Sequence, residues 1–167
     1  GEKPVERWRI GTEHEKFVYC TGDHHAPSYD EPGGISDLLM ALTEFGWEPV
    51  VEGDNVIAMS GPDGTVSLEP AGQLELSGAP LENLHQTCAE TGRHLKQVKA
   101  IGEKTGKAFL GLGLWPDKKR ADLPIMAKGR YDIMLRHIDA ILEIQKKFAD
   151  VSEAVLPESP PLQRGVA

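Results

Sequence analysis

The sequence has no run of about 18 apolar residues, the length a membrane-spanning helix needs, and no basic-then-apolar leader of the secretory kind. Those absences argue against a helical membrane span and lead us to expect a cytoplasmic location. Cysteine is scarce. Cys20 and Cys88 lie far apart in no metal-ligand spacing, so reduced, partly buried thiols are expected rather than a disulfide framework or a zinc knuckle. Basic residues are outnumbered, 18 Lys and Arg against 26 Asp and Glu, for a formal net charge of −8. A chain so charged repels nucleic acid and anionic lipid, and pairs such as Lys118–Lys119 are too scattered to reverse that; neither partner is expected. There is no internal repeat and no low-complexity tract. What is present is ordinary globular material: 167 residues, 40% hydrophobic and 26% charged, enough for one unit with a real core. Because the chain opens on Gly1 rather than Met, some upstream sequence is expected to be missing or processed away.

Two segments punctuate the chain. Thr21 to Gly34, rich in His, Pro, Gly and Asp, reads as a long loop, and Leu156 to Ala167, with three prolines, reads as a tail. Ile35, Leu38, Leu39, Leu42 and Phe45 recur at helical spacing, with Gly46 placed as a left-handed cap. From Trp47 to Ser77, β-branched and polar residues alternate between three turn signals, Glu52-Gly53-Asp54-Asn55, Gly61-Pro62-Asp63-Gly64 and Pro70-Ala71-Gly72, which predicts an antiparallel meander. Pro80 is expected to open a helix whose apolar stripe is Leu81, Leu84, Cys88, Leu95, Val98 and Ile101, ending before Gly106. Ala108 to Leu114 reads as a buried strand. Tyr131, Met134, Leu135, Ile138, Ile141, Leu142 and Phe148 mark a last helix over about 129–150. With an N-terminal strand over 6–19, the expected class is α+β: a mainly antiparallel sheet with helices packed on one face.

The chemistry gathers on the other face. Glu13 and Glu15 are two apart, so on a strand both leave the same face, roughly 6 to 7 Å apart. The same rule sends Val66, Leu68, Leu74 and Leu76 one way, and Ser67, Glu69, Gln73, Glu75 and Ser77 the other. Four carboxylates on one face raise each other's pKa unless a cation neutralises them. Magnesium suits such a set, being a hard ion that binds through a few carboxylates and water and completes its shell with phosphate oxygens. Spacing alone favours the alternative, solvated glutamates on the open face of a half-covered sheet. His14 points away from both acids and is expected to be structural. His24 and His25, in the loop with no partner at ligand spacing, are expected to be exposed. Gly111-Leu112-Gly113 lacks the rest of a Rossmann or P-loop fingerprint and is not read as a nucleotide site.

Three strings, RIGTEHEKF at Arg9 to Phe17, SLEPAGQLELSGAPLENLHQTCAE at Ser67 to Glu90 and PIMAKGRYDIM at Pro124 to Met134, resemble the plant and proteobacterial type of glutamate–cysteine ligase. The likeness runs from Glu2 to Met134. It implies a partial carboxylate–amine ligase core, related in fold to glutamine synthetase, over residues 1–155, followed by the proline-rich tail 156–167. It also implies the reaction: ATP phosphorylates the γ-carboxylate of glutamate, and the cysteine amine attacks the acyl phosphate, giving γ-glutamylcysteine for glutathione synthesis.

By the same resemblance Glu13, Glu15, Glu69 and Glu75 become ligands of magnesium or manganese. Arg130 becomes a clamp for a glutamate carboxylate, Gln73 a substrate-orienting group, and Lys128 a contact to an ATP phosphate or an exposed side chain. No residue is assigned a covalent or acid–base role. The family generally has proline at Ala127 and an aromatic–basic pair at Lys118–Lys119, both mild departures. It also continues well past Met134 with further substrate-binding arginines and strands. The alternative is therefore a truncated, non-catalytic homologue that binds metal or glutamate, or that associates with itself or a complementing chain through an open sheet edge.

Overall fold

The computed structural model describes residues 3–62 and 64–155; the proline-rich segment 156–167 lies outside them. Internal contacts divide the chain into one unit up to Lys128 and a second from Gly129.

The first unit is built on six strands, β1 (Glu13–Cys20), β2 (Glu48–Glu52), β3 (Asn55–Gly61), β4 (Gly64–Glu69), β5 (Gln73–Gly78) and β6 (Lys107–Leu110), arranged in the order β2-β3-β4-β5-β1-β6. Every pairing is antiparallel. The meander expected over 47–77 is thus present, and the class is α+β.

Helix α1 (Ile35–Ala41) continues as a 3-10 turn to Phe45, and Gly46 closes it with φ 83°, the left-handed conformation that costs a glycine nothing. Ile35, Leu38, Leu39 and Leu42 are fully buried, as are Val66, Leu68, Leu74 and Leu76 on the strands. Burying each such side chain contributes about 1.5–3 kcal/mol, and this packing is what turns the opposite sheet face outward.

Three boundaries and one buried face differ from the sequence expectation in this unit. The N-terminal strand begins at Glu13, not at residue 6. Before it, Val5–Arg7 is a 3-10 turn, and Ile10 pairs with Leu81 in an isolated bridge through N–H···O bonds of 2.7 and 2.9 Å. That bridge holds the chain extended at Leu81, so Pro80 does not open the next helix. Helix α2 (Leu84–Thr105) starts instead after Asn83, whose side chain accepts the Gln86 N–H at 3.1 Å, a cap worth about 1 kcal/mol. Strand β6 is shorter than expected and half-buried, because the Leu112 N–H turns back to the Leu110 carbonyl at 3.1 Å.

The last difference concerns the buried face of α2. Leu84, Cys88 and Leu95 are exposed, and the buried residues are Glu90, His94, Val98, Ile101 and Gly102. Under the first half of the helix lie polar groups, not apolar ones. The Ala79 N–H donates to Glu90 Oε1 at 2.8 Å, and the rings of His94 and His14 meet edge-on at 6.5 Å. Gly78 permits this approach, since a Cβ there would stand 2.2 Å from Glu90 Oε2.

The second unit carries α3 (Gly129–Val155), longer than the expected 129–150. Its apolar residues Ile133, Ile138, Ile141 and Ile144 are exposed. The side chain of Phe148 lies outside the described residues.

Candidate active site on the open sheet face

Strand register decides which acids meet. Glu15 stands opposite Glu75, and Glu13 opposite Ser77, across β1 and β5; Ser67 stands opposite Glu75, and Glu69 opposite Gln73, across β4 and β5. Directly opposed side chains start about 4.5–5.5 Å apart at Cβ, and like charges so placed repel. A row Ser67–Glu75–Glu15 therefore crosses three strands, flanked by Thr65–Ser77–Glu13 on one side and by the Glu69–Gln73 pair on the other.

The polar side chains of this face are partly satisfied by one another. The Gln73 amide donates to Glu15 Oε2 at 3.1 Å, and the Ser67 hydroxyl donates to Glu75 Oε2 at 3.4 Å. The negative charge is less well matched. Burial, then the charges of Glu69, Glu15 and Glu13, push the Glu75 carboxyl above its ordinary range, with a hydrogen bond from Ser77 only partly opposing them. At the far end of β1, Phe17 packs edge-on against the buried ring of Trp115, centroids 5.0 Å apart.

This donor set suits a hard cation. Its atoms are carboxylate, hydroxyl and amide oxygens, and Glu75 is a carboxylate whose ionised form is penalised by its neighbours. The four glutamates share the face without closing into a cage. Among the described residues, the group of three His, Cys, Asp or Glu side chains with ligand atoms within 4.8 Å of one another is Cys20, Asp23 and His25. Magnesium tolerates the looser arrangement, because it keeps several waters and is held by one or two carboxylates plus phosphate oxygens.

Lys128 is neither exposed nor distant. It is buried, its Nζ donates to the Leu68 carbonyl, and it stands 3.5 Å from Glu69 Oε1. Arg130, in the second unit, lies over the Tyr131 ring at 5.2 Å and donates to the Tyr131 hydroxyl at 3.3 Å. Stacking of this kind fixes the guanidinium plane while its remaining donors stay directional.

His14 is structural, as expected. Its Nδ1 lies 2.8 Å from Lys16 Nζ, and burial, then the Lys16 charge, lowers its pKa. Lys16 itself escaped the sequence analysis. It is 2% exposed, on the helix side of β1 between Glu15 and Phe17 of the other face, and burial lowers its pKa to about 8 against the opposing pull of Glu75. Period-two alternation of Glu13, Glu15 and Phe17 was the signal that could have placed it inside.

His25 overturns its expectation. It is half-buried, with Cys20 Sγ 3.4 Å and Glu31 Oε1 3.0 Å from Nε2, and Asp23 Oδ1 2.6 Å from Nδ1. These partners come from loop closure and from the end of β1, not from a short repeating spacing.

The family model of glutamate–cysteine ligase family 2 matches residues 9–151. The chain is 50% identical over 142 residues to the chloroplastic glutamate–cysteine ligase of Medicago truncatula, covering 84% of this chain and 27% of the relative. It is 51% identical to chloroplastic ligase A of Oryza sativa subsp. japonica, covering 84% and 28%, and 50% identical to the chloroplastic enzyme of Arabidopsis thaliana, covering 84% and 27%. It thus spans roughly a quarter of the length of these relatives. Their chloroplastic names overturn the cytoplasmic expectation; location is written in receptor-read segments, and the bulk composition of a folded unit carries no such address. With the match running through the acidic face and on into α3, the chain belongs to the glutamate–cysteine ligase family.

Proposed function

We propose that this chain forms one wall of the active site of an ATP-dependent ligase that joins the γ-carboxylate of glutamate to the amine of cysteine. The observation that carries this reading is the Glu75 carboxyl, pushed up by burial and by Glu69, Glu15 and Glu13 on a face that supplies oxygen donors from three adjacent strands. A face so prepared receives positive charge. In this reading Glu13, Glu15, Glu69 and Glu75 would hold magnesium or manganese, and the ion would supply positive charge to offset the negative charge developing in phosphoryl transfer.

The chain's own residues position and neutralise. Gln73 orients Glu15 through the bond at 3.1 Å and stands beside Glu69 in register, where it can also reach substrate. Lys128, the cation at Glu69, is the group we assign to a nucleotide phosphate. Arg130, with its plane set by Tyr131, is the clamp for a carboxylate of the substrate glutamate. Alignment and charge neutralisation suffice for phosphorylation of a carboxylate followed by attack of an amine, and no protein nucleophile is required.

A second reading draws on one observation: β1 pairs with β6 only along Phe17–Cys20, so Glu13–Lys16 has a strand neighbour on the β5 side alone among the described pairings. In that reading the chain binds metal or glutamate, or pairs through this edge with a second copy or a complementing chain, without turnover. Phosphate release from ATP in the presence of glutamate, cysteine and magnesium separates the two. Release that is lost in Glu15→Gln/Glu75→Gln supports the ligase; no release at any protein concentration, with a metal-dependent rise in melting temperature, supports the binding module.

A further inference from the structure

The loop that leaves β1 is folded back on its own start. The Cys20 N–H donates to the His25 carbonyl at 3.0 Å and the His24 N–H to the Cys20 carbonyl at 2.9 Å. His24 holds φ 60°, a left-handed backbone that a non-glycine residue adopts at some cost. The result is to set the His25 ring beside the Cys20 thiol.

Both carboxylates around His25 are aimed by further bonds. Glu31 Oε2 accepts the Ser28 N–H at 2.9 Å and the Ser28 hydroxyl at 3.1 Å, which leaves Oε1 to face His25 Nε2 at 3.0 Å. Asp23 Oδ1 accepts the His25 backbone N–H at 3.2 Å and meets Nδ1 of the ring at 2.6 Å. Sγ and Oε1 both approach Nε2, while a carboxylate holds the far ring nitrogen, the usual support of a metal-bound histidine.

We propose that Cys20, His25 and Glu31 form a binding site for one divalent cation of the zinc class, with Asp23 as the positioning residue behind His25. The donor set of thiolate, imidazole and carboxylate selects a borderline-soft ion and is unsuited to magnesium, so this site is chemically distinct from the acidic sheet face.

The distances agree. Around a tetrahedral zinc, nitrogen and oxygen ligands stand about 3.4 Å apart and nitrogen and sulfur about 3.6 Å apart. The structure has 3.0 Å from Nε2 to Oε1 and 3.4 Å from Nε2 to Sγ, so each of these two pairs needs to open by only a few tenths of an ångström. The fourth position would go to water or another ligand. Charge also balances: a Cys20 thiolate, Glu31 and Asp23 are offset by a dication together with Lys107, the cross-strand neighbour of Cys20.

Cobalt(II) reports the thiolate directly, through its sulfur-to-metal charge-transfer absorption, and Cys88 is an exposed thiol that serves as an internal control. We expect the band to saturate at one equivalent of cobalt, to vanish in Cys20→Ser, and to persist in Glu15→Gln/Glu75→Gln. Zinc alone should slow labelling of Cys20 by a thiol reagent and leave Cys88 unchanged. Asp23→Asn, which removes no ligand, should weaken cobalt affinity by about 10–100-fold while the saturated band keeps its shape. No band together with zinc-independent labelling of both thiols would overturn the site, as would a band that survives Cys20→Ser. These readouts involve neither ATP nor turnover, so they stand or fall separately from the ligase reading.

Discussion

The two clusters of acids in this chain both adjoin strand β1 and have opposite electrostatics. On the open sheet face, Glu75 is surrounded by Glu69, Glu15 and Glu13, and its pKa rises. In the loop after β1, the hydrogen bonds of Glu31 and then of Asp23 raise the pKa of His25. Asp23 falls below its usual range through its bond to His25. Glu31 falls as well, because bonds from Ser28 and His25 outweigh the effect of burial. One cluster repels itself even with Lys128 set against Glu69; the other is already matched by an imidazole. A carboxylate cluster becomes a strong cation site when its own fold does not neutralise it, whereas a matched cluster must exchange a proton for the ion it binds.

The largest expected effect breaks the comparison from the sheet side. Saturating magnesium should raise the melting temperature of the wild-type chain, a stabilisation of about 2.7 kcal/mol at a hundredfold excess over Kd, and Glu15→Gln/Glu75→Gln should abolish it. The loop variant Glu31→Gln should leave the magnesium shift intact. Thermal melts with and without the ion check both, and an undiminished shift in the double variant would place the ion elsewhere.

The pH dependence should have the same sign in the two clusters and differ in its window. A raised Glu75 contributes stability that is fully present below the ordinary value of 4.5 and is lost as pH rises through its folded pKa. Metal-free Glu75→Gln should therefore gain on wild type as pH rises above 4.5, and the magnesium increment of wild type should grow over the same window. For His25, stability is fully present below 6.5 and is lost as pH rises through its raised pKa. The deficit of Glu31→Gln relative to wild type should shrink there. Paired melts across pH 4 to 9 separate the two slopes; parallel curves would refute the contrast.

His25→Ala tests the loop more gently. The ring is half-exposed, so loss of its bonds to Glu31 and Asp23 should cost only about 0.5–1 kcal/mol in urea unfolding. A final change isolates the other side of β1. Lys16, lowered to about 8, favours the neutral amine in the folded state, so stability should rise between about pH 8 and its ordinary 10.5. Lys16→Met should flatten that rise; an unaltered slope would assign it to another group.

Much of this molecule is written locally. Alternation of period two over Val66–Glu69 and Gln73–Ser77 separated four apolar residues from a polar row before any coordinate was known, and the structure keeps that separation. The Gly46 and Gly106 caps were equally legible, because each needs only a helix end and a residue free to take positive φ. The motif blocks carried the family.

What the sequence could not decide was what lies across from each side chain. Period 3.6 offered α2 more than one stripe, and the apolar one was expected inside; the Ala79 N–H and His14 ring opposite the first half of the helix instead drew Glu90 and His94 inward. His25 looked alone because Cys20, Asp23 and Glu31 become its partners only when the loop closes on β1. Periodicity fixes the face a residue takes along its own element. Whether that face is paid back in apolar contact, hydrogen bonds or charge depends on groups distant in sequence, and only the tertiary structure brings those together.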